Sequence, residues 1–433
     1  MKTLSLPTMC VAGLLAVLAM PVRPVAEELT AKREVKTDST PYTHYTIQDL
    51  GVVGTNPNQP GQPFVISNNG WVSGGAGVGA AEHATLWHSG KMIDIGDPGL
   101  GGNGIAFGVN ESGQAVGEAE DASADLSTTE DFCGFQAMGY SSSPKPCIPF
   151  IWSNGRMVSL RTLGGANGVA NQINSWGAIA GYAENLIKDP GCSKPQEYEF
   201  KPVIWLQDWI LPLPTGREPE GVAFSINEWG EVIGASGTCA AFNPSFLFNF
   251  QPVHALLWED RETINLGTLG GALNNFAHDI NNRGEVVGGS DLTGDQTSHA
   301  FLWNPETGKM QDLGTVEGDY WSAGLGVNDA GQIVGVSINA NFTALHAFVR
   351  QNGVLIDLNT LVAGTTSLSL ETACSINSAG EIIGFASDQK TGDTHAYRLC
   401  TEAWKQGNAL KNLERSDEII PIHRFDSTIE KTV

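Results

Sequence analysis

The chain has 433 residues, 52 of them glycine, and only 16% of its residues are charged. Its formal net charge is −23, with 47 acidic against 24 basic residues. This balance argues against nucleic acid or an anionic membrane as a partner, because phosphate binding requires a basic surface. Abundant glycine and sparse charge favour turn-rich β structure over helical bundles, in one large ring-like domain or in two to three ordinary ones.

The N-terminus has the pattern of a secretory signal peptide. Lys2 precedes an apolar run over residues 11–20 that is too short to span a bilayer, and small residues allow cleavage after Ala19 or Ala26. We therefore expect residues 1–26 to direct export to the periplasm or the extracellular space. Residues 27–43 are polar and charged, which predicts a linker, and no later stretch is apolar enough to cross a membrane.

A nine-residue motif, apolar-Asn-x-x-Gly-x-x-x-Gly, occurs seven times along the chain. The intervals between its Asn positions are 43, 64, 53, 54, 47 and 49 residues, and a period near 50 predicts a repeat architecture. Asn supports a local side-chain turn and Gly accepts a positive φ, so each copy predicts a tight turn between two strands. The Asn position is occupied, in chain order, by Ser67, Asn110, Asn174, Asn227, Asn281, Asn328 and Asn377.

Two further strand motifs belong to each unit. A third strand reads His-Ala-x-x-Trp, as in residues 254–258, with degenerate forms at residues 148–152 and 201–205. A fourth strand reads Met-x-Asp-Leu-Gly, as in residues 310–314. This fourth motif also occurs seven times, but its first copy, at residues 45–51, precedes the first Asn-x-x-Gly turn, and no copy follows the last turn.

Four strands in each unit predict an all-β fold, a seven-bladed β-propeller of four-stranded antiparallel blades, with a β-solenoid as the main alternative. The offset motif predicts how the ring closes. The strand at residues 45–51 completes the last blade, begun by residues 372–399, and so hides the sheet edges. The propeller then covers residues 44–400, and residues 401–433 form a C-terminal tail that could contain a short helix.

The third-strand motif and the Asn-x-x-Gly motif together resemble the HAF-repeat family, exported bacterial repeat proteins named for His-Ala-Phe. The resemblance covers about residues 45–399. Two units carry His-Ala-Phe itself, at residues 299–301 and 346–348, three others keep His-Ala, and two lack it. The resemblance implies an extracellular or periplasmic repeat protein, and it implies no particular activity or ligand.

The repeated histidines suggest a metal or acid–base site, but their positions argue against it. They are equivalent in different blades, so a ring keeps them apart, and we interpret each as a fold residue bonded within its own blade. Residues 99–104 match Gly-x-Gly-x-x-Gly, but no βαβ unit surrounds them. We therefore expect no cofactor, no metal and no catalytic residue. The five histidines are His83, His254, His299, His346 and His395.

The repeat symmetry breaks between the second and third strands of blades 2, 3 and 4. From the last Gly of the motif to the end of the third strand, the seven spans are 13, 35, 24, 24, 15, 15 and 15 residues. These connections share one face of a meander, which we call the insertion face. Its aromatic side chains are candidate binding residues, or they merely pack the insertions onto the blades. They are Phe132, Phe135, Tyr140, Phe242, Phe246, Phe248 and Phe250.

Export also changes the interpretation of the cysteines. Cys10 would leave with the signal peptide, and an even count of six in an oxidising compartment favours disulfides, with fifteen possible pairings. We predict one pair within the insertion of blade 2, one pair between the insertions of blades 3 and 4, and one pair in the closing blade. These pairs are Cys133 with Cys147, Cys192 with Cys239, and Cys374 with Cys400.

Together these features predict an exported, monomeric, non-catalytic binding propeller that recognises a protein, peptide or glycan at the insertion face. Aromatic side chains would supply contact area, and the carboxylates of the acidic first insertion at residues 118–146, among them Glu118 and Glu120, would accept hydrogen bonds. The alternative is a propeller hydrolase or lyase with acidic residues at the channel mouth, which requires paired carboxylates in one pocket. A structural or surface-layer role is a third hypothesis.

Overall fold

The computed structural model describes residues 42–51, 62–78, 81–96, 102–121, 145–192, 196–239, 253–260 and 262–401. Within these ranges, the chain forms 28 β-strands in seven four-stranded antiparallel sheets. The predicted seven-bladed β-propeller is confirmed, and the solenoid alternative is wrong. The predicted signal peptide, nearly all of the linker and the tail beyond residue 401 lie outside the described residues.

The first four blades follow one another along the chain, each as a four-stranded meander. Blade 1 contains β2 (Gln62–Ile66), β3 (Val72–Val78), β4 (Ala81–His88) and β5 (Lys91–Gly96). Blade 2 contains β6 (Gly104–Val109), β7 (Ala115–Glu120), β8 (Cys147–Ser153) and β9 (Arg156–Ser159). Blade 3 contains β10 (Gly168–Ile173), β11 (Ala178–Lys188), β12 (Tyr198–Leu206) and β13 (Trp209–Pro212). Blade 4 contains β14 (Glu220–Ile226), β15 (Val232–Gly237), β16 (Val253–Glu259) and β17 (Glu262–Asn265).

The remaining blades complete the ring. Blade 5 contains β18 (Gly270–Ile280), β19 (Val286–Leu292), β20 (Ser298–Asn304) and β21 (Lys309–Gly314). Blade 6 contains β22 (Trp321–Val327), β23 (Ile333–Ile338), β24 (Leu345–Gln351) and β25 (Val354–Asp357), followed by a 3₁₀ turn at Leu358–Thr360. Blade 7 contains β26 (Leu368–Ile376), β27 (Ile382–Asp388) and β28 (Thr394–Thr401), together with β1 (Tyr45–Gly51).

The first strand of the chain closes the ring, as the offset motif predicts. β1 pairs antiparallel with β28, with Tyr45 opposite Thr401 and Asp49 opposite Tyr397. It is thus the outermost strand of blade 7, in the order β1-β28-β27-β26. The inner strands of blade 7 in turn contact β2 of blade 1. A strand from the N-terminal end of the ring therefore completes its last blade.

Apolar side chains are buried between neighbouring blades. Between blades 1 and 2, for example, Leu86 packs in one cluster with Val109 and Phe150, and Leu86 and Phe150 are fully buried. Between blades 4 and 5, Leu257 and Phe301 share a second cluster of the same kind. The alternating pattern of the strands explains this arrangement, because each inner strand presents apolar residues to both flanking blades.

The repeated asparagines join the blades to one another as well as forming the turns. Asn281 is representative: its Oδ1 accepts from the backbone N–H groups of Arg283 and Glu285, each at 3.0 Å. Its Nδ2 donates to Glu285 Oε2 at 2.7 Å and to the backbone oxygen of Asn328, in the next blade, at 3.0 Å. The side chain therefore makes two hydrogen bonds to the backbone of its own turn, one to a side chain of that turn, and one to the backbone of the next blade.

The same inter-blade bond recurs at six of the seven blade boundaries, and we call these six side chains the Asn ring. At the remaining boundary, Ser67 replaces Asn, and Asn69 Nδ2 donates to the backbone oxygen of Glu111 at 2.9 Å instead. The members of the ring are Asn110, Asn174, Asn227, Asn281, Asn328 and Asn377, each donating to the residue at the same position in the next blade.

The two glycines of the motif have different roles. The first, such as Gly230 with a φ of 84°, adopts the left-handed conformation that closes the turn. The second, such as Gly234, has an ordinary φ but faces the neighbouring inner strand, where an added Cβ would overlap the backbone oxygen of Val222. Turn geometry therefore explains only the first glycine, and close approach of the first two strands of the blade explains the second.

In the described part of the chain, no helix has the length and apolar character needed to cross a bilayer.

Candidate functional site

The predicted aromatic residues of the insertion face fall where the structure gives no description. The connection of blade 2 is not described between residues 122 and 144, nor that of blade 4 between residues 240 and 252. Their roles therefore stay predictions. The residues concerned are Phe132, Phe135, Tyr140, Phe242, Phe246, Phe248 and Phe250, together with Cys133.

The insertion of blade 3 is an extension of the sheet rather than an irregular loop. β11 and β12 remain paired beyond the body of the blade, with Lys188 opposite Tyr198. Lys188 Nζ lies 2.8 Å from Glu197 Oε2 and 5.3 Å from the centre of the Tyr198 ring. Leu186 and Ile187, near the end of β11, are exposed. The extension thus presents an apolar edge on the insertion face.

A disulfide joins the insertions of blades 3 and 4, as the sequence predicts. Cys192 and Cys239 are bonded, with 4.9 Å between their Cα atoms and 47 residues between them in sequence. Cys192 follows the extended β11, and Cys239 follows β15. Cys147, at the start of β8, is disulfide-bonded as well, while Cys133, its predicted partner, lies outside the described residues. The two connections are therefore fixed side by side on one face.

A buried carboxyl group lies beside this disulfide. Glu220 is fully buried, and its Oε2 accepts from the backbone N–H of Phe200 at 2.7 Å and from Gln196 Nε2 at 3.3 Å. The pKa of Glu220 is raised to about 8, mainly by burial and also by the nearby carboxylates of Asp189 and Glu199, against the lowering effect of the Phe200 N–H and of Lys201. Side-chain atoms of Glu220, Asp189 and both cysteines lie within 4.8 Å of one another. With the disulfide formed, the group lacks the thiolates that would bind a metal.

The third predicted disulfide is wrong. Cys374 and Cys400 are both buried thiols and are not joined to each other. They lie on β26 and β28, which are separated by β27 in the sheet. Neighbouring strands are about 4.8 Å apart, so these Cα atoms are about 9.6 Å apart or more, beyond the reach of a disulfide. Cys400 Sγ instead approaches Glu381 Oε1 at 3.8 Å.

Two acidic residues assigned to the first insertion belong to the blade itself. Glu118 and Glu120 lie on β7, and both are buried. Glu120 Oε2 accepts from Asn103 Nδ2 at 2.6 Å, and Asn103 Oδ1 accepts from the backbone N–H of Glu82 in the preceding blade. Asn167 and Glu184 repeat this contact in blade 3. Glu120 and Glu184 therefore support the asparagines at the blade boundaries, whereas Glu118 is buried within its own blade, with Oε2 at 3.0 Å from Cys147 Sγ.

The repeated histidines lie near acidic residues, and for His83, His299 and His395 the partner is in the same blade, as we interpret them from the sequence. His346 and His254 instead face acidic residues in the connections that precede their blades. In the typical arrangement, the histidine of the third strand contacts the aspartate of the fourth strand. Nδ1 of His299, for example, lies 2.9 Å from Asp312 Oδ1. His83 pairs with Asp94 and His395 with Asp49, His346 pairs with Asp319, and His254 lies 3.9 Å from Glu218.

The inner strand of blade 5 carries two half-buried ionisable residues, Asp279 and His278, that bear on the enzyme hypothesis. Asp279 accepts from Ser225 Oγ and from the backbone N–H of Val327, both at 3.0 Å, and burial raises its pKa to about 6. His278 Nδ1 donates to the backbone oxygen of Leu325 at 2.8 Å, and burial lowers the pKa of His278 to about 4. Both residues join blade 5 to its neighbours, so their polar atoms serve the ring.

Three exposed tryptophans lie on the face opposite to the insertions, and none of the sequence motifs predicts them as site residues. Trp176, Trp209 and Trp229 are 82%, 78% and 76% exposed. Trp176 and Trp229 are the second residue after the Asn of the turn, and Trp209 follows the turn between the third and fourth strands of blade 3. A comparison of the seven turns, position by position, could have found the first two.

Comparison with known proteins adds little beyond the architecture. No protein-family profile and no curated protein matches the chain. Similar solved structures include a prolyl endopeptidase, with 11% identity and a TM-score of 0.48 over 83% of this chain and 50% of that chain. A sialidase of Trypanosoma rangeli has 7% identity and a TM-score of 0.38 over 84% of this chain and 58% of that chain. The chain thus spans about half the length of these two proteins.

The β-propeller domain of the Trilobed protease from Pyrococcus furiosus is also similar, with 9% identity and a TM-score of 0.32 over 73% of this chain and 98% of that chain. Likenesses at this level carry no argument about activity. The fold assignment rests on the strand pairing of the chain itself.

Proposed function

We propose that the chain is an exported, non-catalytic binding propeller that recognises a protein, peptide or glycan through the insertion face of blades 2 to 4. The Asn-x-x-Gly and His-Ala motifs lead us to propose that it is a member of the HAF-repeat family. The Cys192–Cys239 bond supports export, because disulfides persist in oxidising compartments.

The disulfide between two insertions is the observation that carries this proposal. It connects the segment that follows the extended β11 to the connection that leaves β15, across the boundary between blades 3 and 4. Fixing two neighbouring insertions reduces the entropy they would lose on binding, so the arrangement suits recognition by a preorganised surface. The exposed Leu186 and Ile187 add apolar contact area beside it.

The test is a screen of glycan and peptide arrays with the purified full chain and three variants. One variant shortens residues 235–253 to the length of the blade 5 connection and carries Cys192→Ser, so that no new thiol remains. The second, Phe246→Ala with Phe248→Ala, keeps the insertion but removes two predicted contacts. The third, Cys192→Ser with Cys239→Ser, is the control that keeps the insertion and lacks only the bond.

We expect the wild-type chain to bind a defined set of ligands. The shortened chain and the double Phe variant should lose that binding while their melting temperatures stay near those of their matched controls. The disulfide control should bind more weakly but to the same ligands. Equal binding by all four proteins would refute the insertion face, and the absence of binding by the wild-type chain would refute the binding function.

A further inference from the structure

Three exposed tryptophans lie on the face opposite to the insertions. In a four-stranded meander, the first-to-second and third-to-fourth turns share one face, and the two longer kinds of connection share the other. Trp176 and Trp229 lie in first-to-second turns of blades 3 and 4, and Trp209 lies at a third-to-fourth turn of blade 3. We call these three side chains the Trp platform. Leu206 and Leu211, also exposed, flank Trp209 on the same two strands.

The repeat itself shows that the fold does not require these indoles. The turn position of Trp176 and Trp229 is filled by small or polar residues in the other five blades, two of which have alanine. The equivalent residues are Asn69, Ser112, Arg283, Ala330 and Ala379. Large aromatic surface that is exposed, and that the turn can omit, is typical of a binding site.

The two turn tryptophans are held in fixed orientations. Trp176 Nε1 donates to the backbone oxygen of Glu228 at 3.2 Å, and Trp229 Nε1 donates to the backbone oxygen of Asn282 at 2.9 Å. Each indole therefore lies over the turn of the next blade. The indole of Trp176 bonds Glu228, the residue that precedes Trp229. The polar atom of each indole is already bonded, so a ligand would contact the faces of the rings. Because the hydrogen bonds already hold the two tryptophan side chains in place, these side chains would lose little conformational entropy on binding.

Most of the charged residues around the platform are acidic. Glu231 follows Trp229 by two residues, and the adjacent turn of blade 4 carries Glu259, Asp260 and Glu262 with a single cation, Arg261, which lies outside the described residues. Burial raises the pKa of Glu259, and the neighbouring carboxylates raise it further, which shows that their charges act on one another. The nearest cation on an Asn turn, Arg283, is paired with Glu285 at 2.6 Å. A negative surface beside indole faces favours a cationic ligand, since both attract positive charge.

We propose that the Trp platform is a second binding site, which takes an extended basic segment of a partner protein by stacking lysine and arginine side chains on the indole faces. The flanking carboxylates then neutralise the charges of that segment. This site is independent of the insertion face, because its residues lie at the opposite ends of the strands.

The test uses a fluorescently labelled hexa-arginine peptide and the purified full chain. Trp176→Ala with Trp229→Ala should weaken binding of this peptide by about tenfold or more, since a tryptophan is the best aromatic partner for a cation. Leu186→Ala with Ile187→Ala is the matched control: it removes exposed apolar surface from the other face and keeps the same net charge. Both variants should stay folded and melt within a few degrees of the wild type, because the Trp variant gives up only two exposed hydrogen bonds.

Three outcomes would overturn the proposal. Unchanged binding by the Trp variant would show that the peptide responds only to the net charge of −23. Equal loss in the Leu–Ile control would place the contact elsewhere. Trp-dependent binding of a neutral hexasaccharide, with no binding of hexa-arginine, would assign the platform to glycans instead. The chain with the shortened blade 4 insertion should bind hexa-arginine like the wild type, which separates this site from the proposed function.

Discussion

The two faces of the propeller differ in how closely their sequences repeat. On the face of the Asn ring, six of seven turns carry the same asparagine, and each side chain bonds the next blade. On the insertion face, the equivalent connections differ in length, from spans of 13 residues to spans of 35. Residues that recur in every blade hold the ring together, so residues that occur in only a few blades are the ones available for recognition.

The Trp platform shows that this rule also works within the more regular face. Asn227 and Trp229 are two residues apart in one turn, yet the first recurs in six blades and the second position varies. Neighbouring residues of one turn can therefore have different roles: some stabilise the ring, and others are not needed for the fold and are free to bind a partner.

The largest expected effect comes from the Asn ring at its closing boundary. Asn377→Ala removes four hydrogen bonds: those from the N–H groups of Ala379 and Glu381, one to Glu381 Oε2 and one to the Ser67 oxygen of blade 1. At about 1 kcal/mol each, we expect a loss of about 4 kcal/mol in unfolding free energy. Chemical denaturation measures it, with the exposed Ser378→Ala as control. A loss of unfolding free energy no larger than that of the control would contradict a stabilising role for the Asn ring.

The disulfide between blades 3 and 4 is expected to contribute about as much. Cys192→Ser with Cys239→Ser opens a loop of 47 residues and should cost about 4 kcal/mol. Alkylation of the unfolded, unreduced chain should label Cys374 and Cys400 but neither of these two cysteines. Protection of Cys374 and Cys400 from alkylation would instead support the disulfide that the strand order excludes.

Burial of Glu220 predicts how stability changes with pH. Its pKa is raised from 4.5 to about 8 in the folded chain, so between these pH values the unfolded chain loses its proton first. Stability should therefore fall as pH rises through this window, by about 1.4 kcal/mol per pH unit at most. Glu220→Gln cannot titrate and should lessen the fall in melting temperature between pH 5 and pH 8. The exposed Glu306→Gln should keep it, and identical slopes in all three proteins would contradict the assignment.

The smallest effect is a gain at the one boundary that lacks the Asn bond. Ser67→Asn places an amide where it can donate to the Asn110 backbone oxygen, as at the other six boundaries, and should add about 1 kcal/mol of stability. Ser67→Ala is the matched control and should destabilise, because Ser67 Oγ accepts from the Trp71 N–H at 3.1 Å. A destabilised Ser67→Asn variant would mean that this turn differs from the others in its backbone.

The fold could be predicted because its determinants are local and repeated. Strand alternation, the Asn-x-x-Gly turn and the early copy of the fourth-strand motif were enough to place β1 in blade 7. The inter-blade bond of the Asn ring could not be predicted, because it depends on where a side chain points relative to the next blade. For the same reason, only the first motif glycine was understood from sequence.

The candidate site was harder to predict, because it depends on the order of the strands in each sheet and on which side chains the strands bury. Cys192 and Cys239 were paired correctly because both lie in insertions on one face. Cys374 and Cys400 share a blade, but an intervening strand separates them. Glu118 and Glu120 counted as insertion residues by position, whereas the pairing of β7 buries them. Alignment of the seven turns could have singled out Trp176, but the hydrogen bond that holds its indole over the next blade is visible only in the structure.

The most direct test of the division between ring-building and recognition residues is the unfolding free energy of two variants of one turn, Asn227→Ala and Trp229→Ala. Asn227→Ala should lose about 3 kcal/mol or more, because its Oδ1 accepts from two N–H groups and its Nδ2 bonds Asn281 of the next blade. Trp229→Ala should lose at most about 1 kcal/mol, because it gives up one exposed hydrogen bond to Asn282 and alanine fills this position in blades 6 and 7. Equal destabilisation by the two changes would contradict the division and make the indole part of the ring.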